Sequence, residues 1–412
     1  MESSIIRKTR KKYGLTQKQA ADLVNVSHST WRQWELGTRS MHEAFLGFFL
    51  SKVNENKLPE RVSIKANYDE ISLNDLKKNH HKLAKITHEL ELKESLNRNF
   101  TFIDLFSGIG GIRMAFERAG GGCVFSSEID LFAQMTYYMN HGVVPYGDIT
   151  KVNPLDISEH DILCGGFPCQ PFSHIGKREG FSHATQGTMF YEIVRIIAVK
   201  KPKAIFLENV PGIINHDNGK TLSVILNSLK NEGYNCHYTV LNASDFGVPQ
   251  NRKRFYLVGF LDEGVQFEFP VPPKNEVDIG EFIEKNVQGY DISTHLQQSY
   301  LFKKNDGKPF IIDKNTKGSM KTLVSTYHKI QRLTGTFVKD GETGLRLLSE
   351  NECKAVMGFP KDFIFPVSRT QMYRQMGNSV VVPVVEAIAN NMIFSLKKVE
   401  NRTDASQIWN NE

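Results

Sequence analysis

The chain has 412 residues, a formal net charge of +6, 40% hydrophobic residues and 23% charged residues. That is enough for two or three domains with a real core, and the balance is ordinary for a globular protein. No apolar run reaches the roughly 18 residues of a spanning helix, and the N-terminal MESSIIRKTRKKYG lacks a signal-like apolar segment. Five cysteines, an odd number, argue against a disulfide framework and for a reducing, cytoplasmic compartment. Membrane, secreted-miniprotein, fibrous and fully disordered classes are thereby disfavoured.

Charge is unevenly placed. Residues 1–99 hold 18 Lys and Arg against 12 Asp and Glu, whereas residues 100–412 hold 33 of each. A basic head on a neutral body suggests a nucleic-acid partner, although a solvated surface would give the same count. Residues 1–53 show helical spacing, and residues 54–98 are polar and charged like a linker with helical pieces. From Phe100 onward, short apolar runs (FTFIDLF, CVFSSEI, DILCGGF, AIFLENV, FYLVGF) alternate with longer amphipathic stretches. That alternation predicts βαβ units and a mostly parallel sheet.

In the head, LTQKQAADLVNVSHSTWRQWELG resembles the helix-turn-helix of phage-repressor-type DNA-binding domains. Thr16 with Gln19 makes a capping box. Ala20, Ala21 and Leu23 give a small packing face, and Asn25 suits the turn. A second helix over 27–36 would be anchored by Trp31 and Trp34 and present Ser27, His28, Ser29 and Arg32 to a major groove. The alternative is a plain helical bundle.

In the body, FIDLFSGIGG reads as a strand, a glycine-rich turn and a helix. Gly108 and Gly110 would let a ligand approach the backbone at a helix N-terminus. In DILCGGFPCQPFS a strand runs into a Pro-Cys-Gln turn, which puts Cys169 at a strand-to-loop junction, a common place for a nucleophile. A buried structural cysteine is the bland alternative, but two flanking prolines make a poor core position. The following SHIGKREGF, with Ser173 and Lys177, would form a mobile lid. Cys164 and Cys169 have no second pair at zinc-like spacing, so no metal site is expected. Glu208 ends the run IFLEN, where partial burial would raise its pKa and let it donate a proton. Gln250, Arg252 and Arg254 alternate along QNRKR and would share one face of a strand. Pro270, Pro272 and Pro273 end the α/β pattern, and residues 271–345 have no clear period.

FPCQPFS resembles the catalytic motif of DNA (cytosine-5)-methyltransferases, and that family's other motifs follow in order over residues 100–397. The whole chain looks especially like the MspI-type modification enzymes, which join a helix-turn-helix head to this body. The resemblance implies a Rossmann-like sheet that binds S-adenosyl-L-methionine, with residues 271–345 as a target-recognition domain and 346–397 returning to the catalytic domain, before a polar tail over 398–412. It implicates Asp104, Phe106, Gly108 and Gly110 at the methionine end of the cofactor. Glu128, 20 positions after Gly108, would meet the ribose hydroxyls. Ile129 and Ile149 would pack on adenine, with Asp148 accepting from its amino group. Phe167, Met189 (usually Leu in the family), Asn378, Ser379 and Val380 would complete the pocket. Cys169 would add to carbon 6 of a flipped cytosine, with Glu208 at ring nitrogen 3, Arg252 and Arg254 supporting, and double-stranded DNA as substrate. Gln250, Thr326, Tyr327, Lys329 and Arg332 would join Ser173 and Lys177 as DNA contacts. The expected site is CCGG, modified at its outer cytosine, with CCNGG or CCWGG as the alternative. Catalysis by a monomer, and a dimer formed through the head on a promoter, are further expectations. A regulator with a vestigial body is the competing class, and the intact Cys169, Glu208, Arg252 and Arg254 argue against it.

Overall fold

The computed structural model describes residues 73–168, 189–273 and 277–409, with residues 6, 10, 17, 20, 21, 24, 26 and 28–36 of the N-terminal segment. Helix α1 (His28–Leu36) falls within the predicted 27–36. Trp31 and Trp34 are buried with Ala20, Ala21 and Val24, so the expected anchors are core. Glu35 is buried beside them and accepts from Arg10, Gln17 and Trp31. Burial opposes its ionisation, but those hydrogen bonds hold its pKa down at about 2. Arg32 is exposed. Thr16, Gln19, Leu23, Asn25 and Ser27 lie outside the described residues, as do the side chains of His28 and Ser29.

Part of the expected linker is not a linker. Residues 54–72 lie outside the described residues, but Leu73–Ser95 form a 23-residue helix, α2. The helix covers the open edge of strand β2 (Gly121–Ser127). Ser95 Oγ donates to Cys123 O at 2.9 Å, and Ser126 N–H donates to His88 Nε2 at 3.1 Å. Because Nε2 accepts, the His88 proton sits on Nδ1, 2.8 Å from Ala84 O. Burial pushes the His88 pKa down to about 3, which keeps the ring neutral for this role. A polar-looking helix thus satisfies backbone groups that an edge strand would leave open.

Five further strands join β2: β1 (Phe100–Leu105), β3 (Ile162–Gly166), β4 (Ala204–Asn209), β5 (Asn235–Asn242) and, after a two-residue β6 (Gln250–Asn251), β7 (Lys253–Phe260). Their order is β2-β1-β3-β4-β7-β5. The first four are parallel, and β7 runs antiparallel to both β4 and β5. Side chains alternate: Phe102, Phe206 and Tyr256 enter one buried cluster, and Ile103, Leu163, Ile205 and Leu257 enter another. Both faces are therefore covered, which explains the nearly continuous apolar runs.

Helix α3 (Gly111–Arg118) and the last helix, α9 (Val382–Trp409), cover the first face. Helices α5 (Met189–Lys200) and α6 (Lys220–Asn231) cover the second. Helix α4 (Leu131–His141) follows β2 and packs on α2. The C-terminal apolar stretch is long and apolar enough by composition to cross a membrane. Here Val384, Val385, Ile388, Ala389 and Met392 are buried in the core instead. Helix α9 also runs through most of the segment read as a polar tail.

The irregular region carries only short strands and brief helical turns among its described residues. β8 (Phe310–Ile312) pairs with β10 (Thr336–Val338), and β9 (Met320–Lys321) pairs with β6. Its apolar residues Leu301, Ile312, Leu323 and Phe337 belong to the same buried cluster as Phe102, so the expected recognition region shares the body's core. At its end Arg346, fully buried, meets both Glu352 oxygens at 2.8 Å and Asp340 at 2.9 Å. Glu352 lies on α7 (Glu350–Met357), whose start is a Ser349–Glu352 capping box.

Candidate active site

Strand order creates the site. The chain leaves β1 to one side for β2 and returns to the other side for β3, so a crevice opens at the carboxyl ends of the parallel strands. Because β7 is antiparallel, its first residues arrive at that same end. A cavity of about 480 Å³ lies there, lined by the loops that follow β1, β2, β3 and β4 and by helix α8 (Arg369–Asn378).

One wall is the β1–α3 turn. Phe106 and Gly108 both have φ of 56°, and Gly110, with φ of 86°, caps α3 without a side chain. A methyl group on Gly110 would strike the His141 ring, and one on Gly111 would come within 2.7 Å of Ser379 Oγ. The backbone is thus packed closely from two sides. Glu128 accepts from Gly108 N–H at 2.8 Å and from Asp130 N–H at 2.7 Å. Burial pushes its pKa up, and these two N–H groups oppose the rise. The neighbouring Ile129 is 73% exposed and lines the cavity, while Ile149 opposite is buried. Asp148 accepts from Thr150 Oγ1 at 2.7 Å, which lowers its pKa. Ser107 and Ser127 Oγ atoms are buried at this wall with no partner among the described residues. Unpaired polar atoms and a bare isoleucine suit a ligand with both polar and flat apolar parts.

The other wall is a strand register. Gly166, at the end of β3, pairs with Glu208 on β4. A methyl group on Gly166 would stand 3.6 Å from Glu208 Oε2, an ordinary contact distance, so the two positions are direct neighbours. Burial raises the Glu208 pKa, and Arg254 and Arg252 offset part of the rise. Arg254 Nε pairs with Glu208 Oε1 at 3.0 Å. Asn209 donates to Phe167 O at 3.0 Å and so fixes the strand exit two positions before Cys169 in the sequence. Cys169, Ser173 and Lys177 lie outside the described residues. Phe167, Pro168 and Met189, which flank that segment, line the cavity.

The cavity thus gathers Phe106, Gly108, Glu128, Ile129, Asp148, Ile149, Phe167, Met189, Asn378, Ser379 and Val380 with Glu208, Arg252 and Arg254. Several expectations need correction. Asp104 does not line it; the side chain is fully buried below the turn, and burial pushes its pKa up to about 8. Arg252 does not pair with Glu208 as expected. It donates to Leu323 O at 2.8 Å, Gly377 O at 3.0 Å and Ser379 O at 2.6 Å. Gln250 is fully buried, donating to Val356 O and accepting from Leu323 N–H, and cannot meet DNA. Tyr327 is buried between Thr336 O and Leu348 N–H. Arg332 is buried and donates to Leu301 O, Lys304 O and Asp306, which staples a loop. Thr326 is half-buried, and Lys329 is exposed. Sequence reasoning missed Asn209, although it directly follows Glu208. It also missed Gln371, Arg374 and Gln375, whose spacing of three and four on α8 was the available signal.

The family model described as C-5 cytosine-specific DNA methylase matches residues 100–394, and a helix-turn-helix model matches residues 6–41. Type II methyltransferase M.MspI of Moraxella sp. is 62% identical over 408 residues, covering 98% of each chain. Type II methyltransferase M.BsuFI of Bacillus subtilis is 52% identical over 346 residues, 83% of each chain. Among solved structures, S. pombe Dnmt2 methyltransferase superposes with a TM-score of 0.59 at 21% identity, over 72% of this chain and 99% of that one. Spodoptera frugiperda DNMT2 gives 0.58 at 23% identity, over 69% and 97%. These two structures show likeness of fold.

Proposed function

The chain belongs to the C-5 cytosine-specific DNA methylase family, and from that premise we propose that it modifies the outer cytosine of CCGG as the methyltransferase of a bacterial type II restriction–modification system. It works in the cytoplasm on double-stranded DNA and shields that DNA from a partner endonuclease. S-adenosyl-L-methionine is its cofactor and, when bound, supplies an electrophilic methyl group. Glu128 would hold the ribose hydroxyls, Ile129 and Ile149 the adenine faces, and Asp148 the adenine amino group. Phe106, Gly108 and the Asn378–Val380 segment would enclose the methionine end.

The chain's own chemistry follows from the second wall. The cytosine must leave the duplex to reach this cavity. The Cys169 thiolate adds to carbon 6, and Glu208 in its protonated form donates to ring nitrogen 3, so carbon 5 becomes enamine-like and nucleophilic. Burial raises the Glu208 pKa toward that protonated form, while Arg254 orients the carboxyl. Once carbon 5 carries the methyl group that the cofactor would supply, loss of its proton to water and β-elimination release the Cys169 thiolate, and the nitrogen 3 proton returns to Glu208. One observation carries this reading: the Gly166–Glu208 register brings the strand that leads to Cys169 beside the Glu208–Arg254 pair.

Bisulfite sequencing of DNA from cells expressing the protein tests it. Outer-cytosine methylation at CCGG is expected. Modification at CCNGG or CCWGG, or at the inner cytosine, would overturn the site assignment, and no modification would overturn the activity. The exposed Arg32 on α1, in a head whose tryptophans are buried, favours a second role. The head binds the promoter of its own genes, as a dimer, while catalysis needs one chain. Deleting residues 1–72, which leaves α2 on β2, should abolish promoter binding and spare methylation. Loss of both would make the head part of substrate engagement.

A further inference from the structure

Helix α8 presents a polar face to the cavity that the roles above leave unused. Gln371, Arg374 and Gln375 line it at helical spacing. Gln375 is buried, and its Oε1 accepts from Thr136 Oγ1 of α4 at 2.9 Å. That bond orients the amide and leaves Nε2, a donor, buried with no partner among the described residues. Gln371 shows the reverse. Its Oε1, an acceptor, is buried and has no partner among the described residues. Beside them Arg374 stands 3.5 Å from Asp130, which caps α4 directly after Glu128 and Ile129. Arg252 holds the end of α8 through Gly377 O and Ser379 O.

A buried donor and a buried acceptor left open on one helix face are costly unless a ligand closes them. An α-amino acid needs both, a donor for its carboxylate and an acceptor for its ammonium. We propose that Gln375 and Gln371 recognise the carboxylate and the ammonium of the methionine end of the cofactor, with Arg374 adding positive charge at the carboxylate. This rests on the cofactor reading above and assigns specificity within it. The nucleoside half of the ligand would be read by Glu128, Ile129 and Ile149, and the amino-acid half by α8.

The two halves can be separated with two probes. S-adenosylhomocysteine carries the amino-acid end, and 5′-methylthioadenosine lacks it. Isothermal titration of the full chain with both, in wild type and in Gln371→Met and Gln375→Met, reads the contribution of each glutamine. Each variant should weaken S-adenosylhomocysteine about tenfold, as expected for a lost hydrogen bond to a charged group, and leave methylthioadenosine within about twofold. Because both ligands are titrated into the same preparation, a partly unfolded fraction does not change the comparison. Equal weakening of both ligands would show that the glutamines act only on the fold, and would overturn the proposal. Unchanged binding of both would overturn it too. If the wild type bound neither probe, the cofactor assignment itself would fall, and the proposal with it.

Discussion

Truncation of Arg252 to alanine separates a clamp from a catalytic helper. The guanidinium donates to three carbonyls from three places: Leu323 in the irregular region, Gly377 in α8, and Ser379 in the segment after α8. Burial pushes its pKa down to about 9, so it remains charged at neutral pH. Removing it orphans three buried carbonyls, each costing about 1–3 kcal/mol. Water entering from the adjoining cavity would satisfy some of them, which favours the lower end of the range. The expected loss is therefore about 3–5 kcal/mol, a large share of the roughly 5–15 kcal/mol that holds a typical domain folded. Urea unfolding followed by far-ultraviolet circular dichroism measures it. Intrinsic fluorescence would not, because the three tryptophans are Trp31, Trp34 and Trp409, all outside the catalytic sheet. Arg252→Lys should recover only part of the loss, since one ammonium cannot span the same three acceptors. A loss below about 1 kcal/mol in Arg252→Ala would refute the clamp. Arg254→Ala should differ in kind. It breaks the 3.0 Å pair with Glu208, so the carboxyl pKa rises further and the pH–rate profile moves upward.

Other outcomes follow from the same geometry. Cys169→Ser should abolish methyl transfer while titration still detects S-adenosylhomocysteine, and substantial retained turnover would remove Cys169 from the mechanism. Asp104 has a folded pKa of about 8 against an ordinary 3.8, so between those values the folded chain holds a proton that the unfolded chain has lost. Its contribution therefore falls as pH rises, by up to ~1.4 kcal/mol per pH unit. Asp104→Asn should flatten the stability profile over that window, and an unchanged slope in urea titrations would show that Asp104 ionises normally. Gly110→Ala should weaken S-adenosylhomocysteine binding by about tenfold or more, because φ is 86° there and the new methyl strikes His141. A double variant that also replaces His141 with alanine should recover only part of the affinity, since the backbone strain persists.

The parallel strands were legible because both their faces are buried, which turns each into a short apolar run. Strand β5 was not. Its sequence NCHYTVLN lies at the sheet edge, where no residue is fully covered, so polar and apolar side chains mix. Helix α2 was misread for a related reason. Its buried face is not an apolar stripe alone but includes His88 and Ser95, which are polar because they serve the backbone of β2, and Thr87, which accepts from Val144 N–H just beyond α4. Polarity there marks an edge strand being closed, and composition cannot distinguish that from a solvated linker.

The QNRKR segment shows where spacing stops being informative. Alternate positions imply one strand and one face, and Arg252 and Arg254 do reach one cavity. Yet the strand breaks between them: Gln250 and Asn251 pair with Met320 and Lys321 in a second sheet, and the main sheet resumes at Lys253. The break gives each arginine a different task. Arg254 faces Glu208 along the sheet, whereas Arg252 turns toward the irregular region and α8. The same logic removes Gln250, Tyr327 and Arg332 from the DNA surface. Each is a side chain that nucleic-acid recognition favours, and each has its polar atoms closed by carbonyls, N–H groups or a carboxylate of its own chain. A region with little regular structure must hold its loops by side chains, so many of its polar residues are framework. Exposure, which the sequence does not carry, then decides which side chains stay open to solvent, and Lys329 is exposed where its neighbour Tyr327 is buried.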